Sequence, residues 1–598
     1  MCGIVGIVSN KGICPENLKA MSDTMVHRGP DGEGIYIGDR VGLAHRRLAI
    51  VDLSDAGKQP MEYLDRYVIT YNGEIYNHPE LRSELEERGY EFRSHTDTEV
   101  IMAAYDCWGT GCFNKFNGMW AFCIYDRVED RFVLSRDRFG IKPFYFWRDG
   151  ESFLFASEIK ALLAYEHFGK PKPNLEYLNR YLREGPNEQF AETAFEGVYK
   201  FGVSSFAVCT REELLEGRVR ETSYWEVNPN LSSEAFDRQR LQEYAQRYRE
   251  LLKDAVRLRL RSDVKVGSAL SGGIDSSSIV SLVNDVQAGE GRDGRQETFS
   301  SVYKAEGTTS CDESEYIDQL ARHLGVHSNQ IEPMEQDIPA EHARMIYHLE
   351  TPPTGTLMSS WHTFKLVGRS DVTVTLDGQG ADEQLAGYDG YVTNYIANLG
   401  LGAAVQEYAL TGRSLRRRAL KGLVIKVASV IVGRERALRC LEKVSKSIRF
   451  QAMPLNQKLA LDLRENLITL LHYADKTSMA YSVESRVPFM DFRLVEFLFE
   501  VPAGYKFRNG WSKYLSRVAM QDKLPANILW RRDKMGWPIP EEYWFNGGLK
   551  DWLDRKVLDS AFLRKYFNAQ FNSYESLNVR EKLNLLNLAV WSDTFEIE

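Results

Sequence analysis

Gly267-Ser268-Ala269-Leu270-Ser271-Gly272-Gly273-Ile274-Asp275-Ser276-Ser277 is the stretch on which the reading of the second half of the chain turns. Residues 265–270 predict a strand, Ser271 to Gly273 a tight turn, and 275–284 the helix that follows. Backbone N–H groups and small hydroxyls at such a turn can cradle phosphate. The Gly-Lys-Ser/Thr ending of a Walker loop is missing, so that class of site is excluded. Strand-like runs at 298–303 and 372–376 extend the pattern to a parallel α/β sheet, and beyond about 390 the chain reads as helical.

Upstream the texture differs. Short runs at 2–8, 42–51, 66–71, 119–125, 131–135 and 153–157 are separated by Gly, Asn and Asp turns, and helices are predicted at 78–88 and 98–107. This is the pattern of an α+β sandwich of mostly antiparallel sheets. The expected division is residues 1–205, a linker over 206–240 containing Asn228-Pro229-Asn230, and 241–598; a chain of 598 residues is too long for one ordinary core.

Composition narrows the class. The chain is 43% hydrophobic and 27% charged, as soluble globular proteins are, and no apolar run approaches the roughly 20 residues needed to span a bilayer. The start shows no basic leader followed by an apolar stretch, so the cytoplasm is the expected compartment. Eight sparse cysteines without paired CxxC elements exclude a disulfide scaffold and a zinc site, leaving Cys107 and Cys112 as packing residues. A net charge of −9 gives no reason to expect a nucleic-acid partner.

Cys2 is chemically useful if Met1 is removed, because its thiol then sits beside a free α-amino group of pKa about 7.7–8.0 that can act as base. Taken alone, it reads as a small apolar residue opening a strand. It is followed in order by His27-Arg28-Gly29-Pro30-Asp31-Gly32, Ala44-His45-Arg46-Arg47, Tyr71-Asn72-Gly73-Glu74 and Ser94-His95-Thr96-Asp97. Together these resemble the glutaminase domain of class II amidotransferases, the N-terminal-nucleophile hydrolases. The resemblance implies that Cys2 attacks the glutamine amide, that the Asn72 side chain and Gly73 N–H stabilise the oxyanion, and that Arg47, Val51, Glu74 and Asp97 hold the amino acid.

The phosphate-loop stretch likewise resembles that of the ATP pyrophosphatases. With Asp377-Gly378-Gln379-Gly380-Ala381-Asp382-Glu383, Glu484-Ser485-Arg486-Val487-Pro488 and Gly510-Trp511-Ser512-Lys513, it resembles the synthetase domain of asparagine synthetases, and the two resemblances cover nearly the whole chain. They imply ATP and magnesium as cofactors. Asp275 and Asp382 would share the metal, Ser271, Gly272, Gly273 and Ser276 would hold phosphate, and Leu270, Ser301 and Gly378 the nucleoside. Lys513 would neutralise charge on the α-phosphate. Ammonia would then pass through a dry channel to an acyl-adenylate, aspartate becoming asparagine by default. The partners implied are glutamine, ATP and a carboxylate acceptor, and a homodimer is left open.

Two features depart from that pattern. Asparagine synthetases usually carry Glu where this chain has Gln379, and an amide cannot serve as a base near neutral pH. Either Glu484 takes the proton or the acceptor is another carboxylate, such as a sugar uronate or a secondary-metabolite acid; a harmless substitution is the third reading. The segment 413–449 is basic and interleaved with Leu, Val and Ile, which fits solvated helices packed on the core or a weak contact with an anionic membrane surface or polyanion.

Overall fold

The computed structural model describes residues 2–597, apart from 187, 233, 292–294, 444, 533–535 and 537. Two six-stranded antiparallel sheets form the first half. One runs, in spatial order, Tyr199–Lys200, Tyr145–Arg148, Ser152–Ala156, Gly3–Ser9, Val41–Arg47, Gly32–Gly38; the other runs Thr222–Ser223, Ser205–Thr210, Arg131–Arg136, Gly118–Asp126, Tyr67–Ile75, Met61–Tyr63. Strand alternation sends Ile4 and Val8 to the inner face, where they meet Val68, Ala121 and Leu134 of the facing sheet. Val5 and Ile7 point the other way, onto the helix Pro15–Asp23. The helices His78–Glu86 and Asp97–Trp108 cover the outer face of the second sheet, completing the α+β sandwich.

Local chemistry sets where these elements stop. The strand expected over 42–51 ends at Arg47, whose guanidinium donates to the carbonyls of Asp52 and Ser54 and so ties down the loop that follows. Thr96 caps the helix Asp97–Trp108 by accepting from Glu99 N, which puts Asp97 in its first turn, and Gly109 at φ 55° ends it. The linker expected over 206–240 is corrected in its first half. Ser205–Thr210 pairs with Arg131–Arg136, Thr210 and Glu213 form a capping box for the helix Arg211–Glu216, and Thr222–Ser223 adds the edge strand.

The second half is built on a five-stranded parallel sheet of spatial order His327–Ile331, Glu297–Ser301, Val266–Ala269, Val374–Leu376, Glu484–Arg486. Its middle strands lie within two residues of the expected ends, whereas both edge strands were unforeseen. Val266–Ala269 leads through Gly272, at φ 68°, into the helix Ile274–Gly289, which buries Ile279, Val280 and Val283 against the sheet. Helices make up most of the remainder, and none among the described residues is long and apolar enough to cross a membrane.

The two halves meet across a buried band of charge. Arg28 donates to the Cys2 carbonyl (3.0 Å), to Glu158 (3.1 Å) and to Asp475 (3.0 Å), and Lys142 reaches Asp475 at 3.3 Å. Lys160 and Lys476 share Glu350 at 3.2 and 2.5 Å. Burial opposes the charge of Asp475, but Arg28 and Lys142 overcome it and hold its carboxyl below the usual range. Such a network is strongly destabilising to break, because a lost partner strands a charge out of water. It therefore fixes one orientation of the halves.

Candidate active sites

The first site lies where the strands Gly3–Ser9 and Tyr67–Ile75 pass each other. The Cys2 nitrogen donates to Asn72 Oδ1 at 3.0 Å, while Asn72 Nδ2 is buried with no hydrogen-bond partner among the described residues. A buried amide donor without an acceptor is costly unless a ligand supplies one, and an oxyanion beside Cys2 is such a ligand. Gly73 is required by space: a Cβ there would lie 2.1 Å from the Met119 carbonyl oxygen. Burial pushes the Cys2 thiol up, against the Leu48 backbone hydrogen bond and Arg47, which pull it down.

Cys2, Arg47, Val51, Gly73, Glu74 and Asp97 line one pocket. Asp97 accepts from the Tyr71 hydroxyl (2.7 Å) and the Ile75 N–H (2.8 Å), yet burial still raises its carboxyl above the usual range. Glu74 is raised further, by burial and then by Asp97; its Oε1 has no partner among the described residues, and its Oε2 meets Arg486 at 3.4 Å. Two such carboxylates accept charge most readily with a cation between them, and the ammonium of a free amino acid is one. His45, buried and lowered to about 3, is a neutral partner of the Tyr71 carbonyl rather than a base.

The second site sits at the C-terminal edge of the parallel sheet. Ser271, Asp275, Ser276, Gly378, Gln379 and Asp382 line a cavity of about 290 Å³. Asp382 also faces a cleft of about 90 Å³ with Gly273, Lys513, Arg517 and Arg532. Lys513 donates to Asp275 and to Asp382, both at 2.5 Å, so one ammonium draws two carboxylates from separate loops together. Burial would lower the Lys513 pKa, but those two carboxylates raise it. Gly387 lies so close that a Cβ would fall 1.7 Å from Asp382 Oδ1. Two hard carboxylate oxygens beside the Ser271–Gly273 turn are a donor set that suits magnesium.

Not every expected residue comes together here. Ser301 spends its hydroxyl on the Ser359 carbonyl and the Thr363 hydroxyl, and Leu270 is buried in the core behind the cavity wall. Glu484 is on the edge strand opposite Val374, bound to Arg486 at 2.6 Å. Burial would raise its pKa, but positive charge including Arg486 and Lys142 depresses it to about 2, which makes it a weak base. The residue types gave no warning of Glu383, which takes a hydrogen bond from Tyr388 (2.6 Å) and is pushed up to about 7 by burial and by Asp382. Its place in the quoted Asp382-Glu383 pair was the only available signal.

The helix Asn466–Met479 connects the sites. Tyr473 and Ala474 line the second cavity, and Asp475, next along, receives Arg28, whose other nitrogen holds the Cys2 carbonyl.

Comparison with known proteins matches the chain to two families in succession. A glutamine amidotransferase domain family matches residues 1–225, and a family described as asparagine synthase matches 247–592. Glutamine-hydrolyzing asparagine synthetase 1 of Bacillus subtilis is 29% identical over 95% of this chain and 92% of its own length. Glutamine-hydrolyzing asparagine synthetase 3 of the same organism is 30% identical over 92% of this chain and 89% of its own. A protein named Amidase chry2, from Gibberella zeae, is 25% identical over 100% of this chain and 99% of its own.

Proposed function

The chain belongs to the asparagine synthase family and is a glutamine-hydrolysing carbon–nitrogen ligase, and from that premise we propose that it joins ammonia made at Cys2 to a carboxylate activated by ATP beside Lys513. The observation that carries this is the path from the Cys2 carbonyl through Arg28 to Asp475, on the helix whose Tyr473 and Ala474 face the second cavity. Hydrolysis is assigned to the two-sheet half and ligation to the parallel-sheet half, and the cytoplasm is the compartment we propose.

With residue 1 removed, the Cys2 nitrogen held by Asn72 Oδ1 is the α-amine that takes the thiol proton. The thiolate attacks the glutamine side-chain amide, Asn72 Nδ2 and the Gly73 N–H receive the oxyanion, and ammonia leaves as the thioester forms. Water then releases glutamate. Arg47, Val51, Glu74 and Asp97 position the amino acid. At the second site Ser271, Gly272, Gly273 and Ser276 hold the phosphates, and Gly378 borders the nucleoside. Magnesium held by Asp275 and Asp382 would neutralise the pyrophosphate. Lys513 steadies the α-phosphate while the acceptor carboxylate displaces pyrophosphate. Ammonia then attacks the acyl carbon, the C–N bond forms, AMP departs with its oxygen, and the amine loses a proton.

L-Aspartate, yielding L-asparagine, is the acceptor proposed first. A different carboxylate, a sugar uronate or a secondary-metabolite acid, is favoured by Gln379 and by the weak basicity of Glu484, and the amidase name of one relative points the same way. Incubation with ATP, magnesium, glutamine and aspartate separates them. AMP with asparagine supports aspartate; glutamate released without asparagine supports the other carboxylate.

A further inference from the structure

Leu420, Val424, Val427 and Ile431 recur at helical spacing along the helix Arg416–Val432, and all four stand exposed, Ile431 at 74%. The opposite face carries the packing. Ala419, Gly422 and Ile425 are buried, and Gly422 lies so close to its neighbour that a Cβ would sit 2.7 Å from the Thr393 carbonyl oxygen. Small residues seat the helix on the protein, and an aliphatic row faces outward.

Arg416, Arg417 and Lys421 are exposed beside that row. The segment 413–449 holds twelve Lys and Arg against Glu435 and Glu442, in a chain whose net charge is −9. A local surplus of cations in an acidic protein selects an anionic partner. A nucleic acid would use the cations but leave the aliphatic row in water. A bilayer with anionic headgroups takes both, the aliphatics at the acyl boundary and the cations among the headgroups.

We propose that the helix Arg416–Val432 is an interfacial anchor that seats the protein on an anionic lipid membrane. Its 17 residues span about 25 Å at the α-helical rise, and its alternation of faces suits lying along the surface rather than crossing it. Ser414 and Leu415, immediately before the helix, line the cleft that holds Asp382 and Lys513. Docking therefore brings the ligation site near the bilayer.

Flotation of the full chain with vesicles tests this. Equal parts of phosphatidylglycerol and phosphatidylcholine should capture the protein at low salt and release it at high salt, and phosphatidylcholine alone should not bind it. Arg417→Ala and Lys421→Ala should each weaken capture about fivefold, and Val424→Ser with Ile431→Ser by about tenfold or more. All four positions are exposed, so thermal midpoints should stay unchanged. Failure to bind the anionic vesicles, or capture undiminished by Val424→Ser with Ile431→Ser, would overturn the proposal. A dimer abolished by that same pair of changes, without vesicle binding, would overturn it in favour of a second copy of this chain.

Discussion

Each site holds a pair of buried or half-buried carboxylates, and the protein treats the two pairs in opposite ways. Among the described residues Glu74 and Asp97 are in direct ion-pair contact with a fixed cation only through the long Glu74–Arg486 approach, and burial raises both. Asp275 and Asp382 are drawn onto Lys513, whose own proton they hold. A pair left short of positive charge suits a ligand that brings an ammonium. A pair organised around a resident cation suits one that brings phosphate and metal. The same residue types thus serve an amino-acid pocket and a nucleotide pocket, and the neighbouring cations make the difference.

The comparison breaks most severely at the boundary between the sites. Arg28→Ala leaves Glu158 and Asp475 short of charge and should cost about 3–5 kcal/mol of stability, read as a lower unfolding midpoint in denaturant. It should also reduce the amide formed per glutamate released, because the link from Cys2 to the helix Asn466–Met479 is lost. An unchanged midpoint and ratio would make this contact incidental.

Next in size is Asn72→Ala, which removes the unpartnered donor beside Cys2. Glutamine hydrolysis should fall about 10²–10³-fold in kcat, while ligation supported by ammonium salt continues at the original rate. A fall in both would place Asn72 in the framework rather than in the oxyanion site.

A proton count sharpens the comparison with the smallest effect. Carboxylates raised in this way keep their protons to higher pH in the free protein, and a bound ammonium drives them off. Glutamine binding to Cys2→Ser should therefore release protons, and its affinity should rise with pH above the ordinary carboxylate range, by up to about tenfold per pH unit for each proton. The rise should level off once pH passes the raised values. Calorimetry in two buffers of different ionisation enthalpy reads the release directly, and a buffer-independent heat would mean that Glu74 and Asp97 are already charged.

Much of this was legible where chemistry is local. The turn at Ser271-Gly273, the strand at 374–376 and the helix carrying Asp97 follow from apolar runs bounded by Gly, Asn and caps, whereas Asn72 and Gly73, expected in a turn after a strand ending at 71, lie within the strand Tyr67–Ile75 and pair with Ala121 and Trp120. What escaped had a physical reason. Gly32–Gly38 alternates half-buried and exposed positions, but Ile35 and Ile37 fall on the exposed face, so its apolar residues do not mark the covered side. His327–Ile331 is a polar edge, and Glu484–Arg486 is a buried strand of charged residues held by pairing across the interface. The half-linker at 206–223 was missed because its pairing partner lies some seventy residues earlier in sequence. Arg28 was visible as part of a motif, but its tie to Asp475 spans 447 positions.

The most direct test of two sites joined by one nitrogen is Cys2→Ala, with AMP formation measured against the acceptor that the unaltered protein amidates. Activity should vanish with glutamine and persist with ammonium chloride. Loss with both nitrogen sources, or continued use of glutamine, would contradict the account.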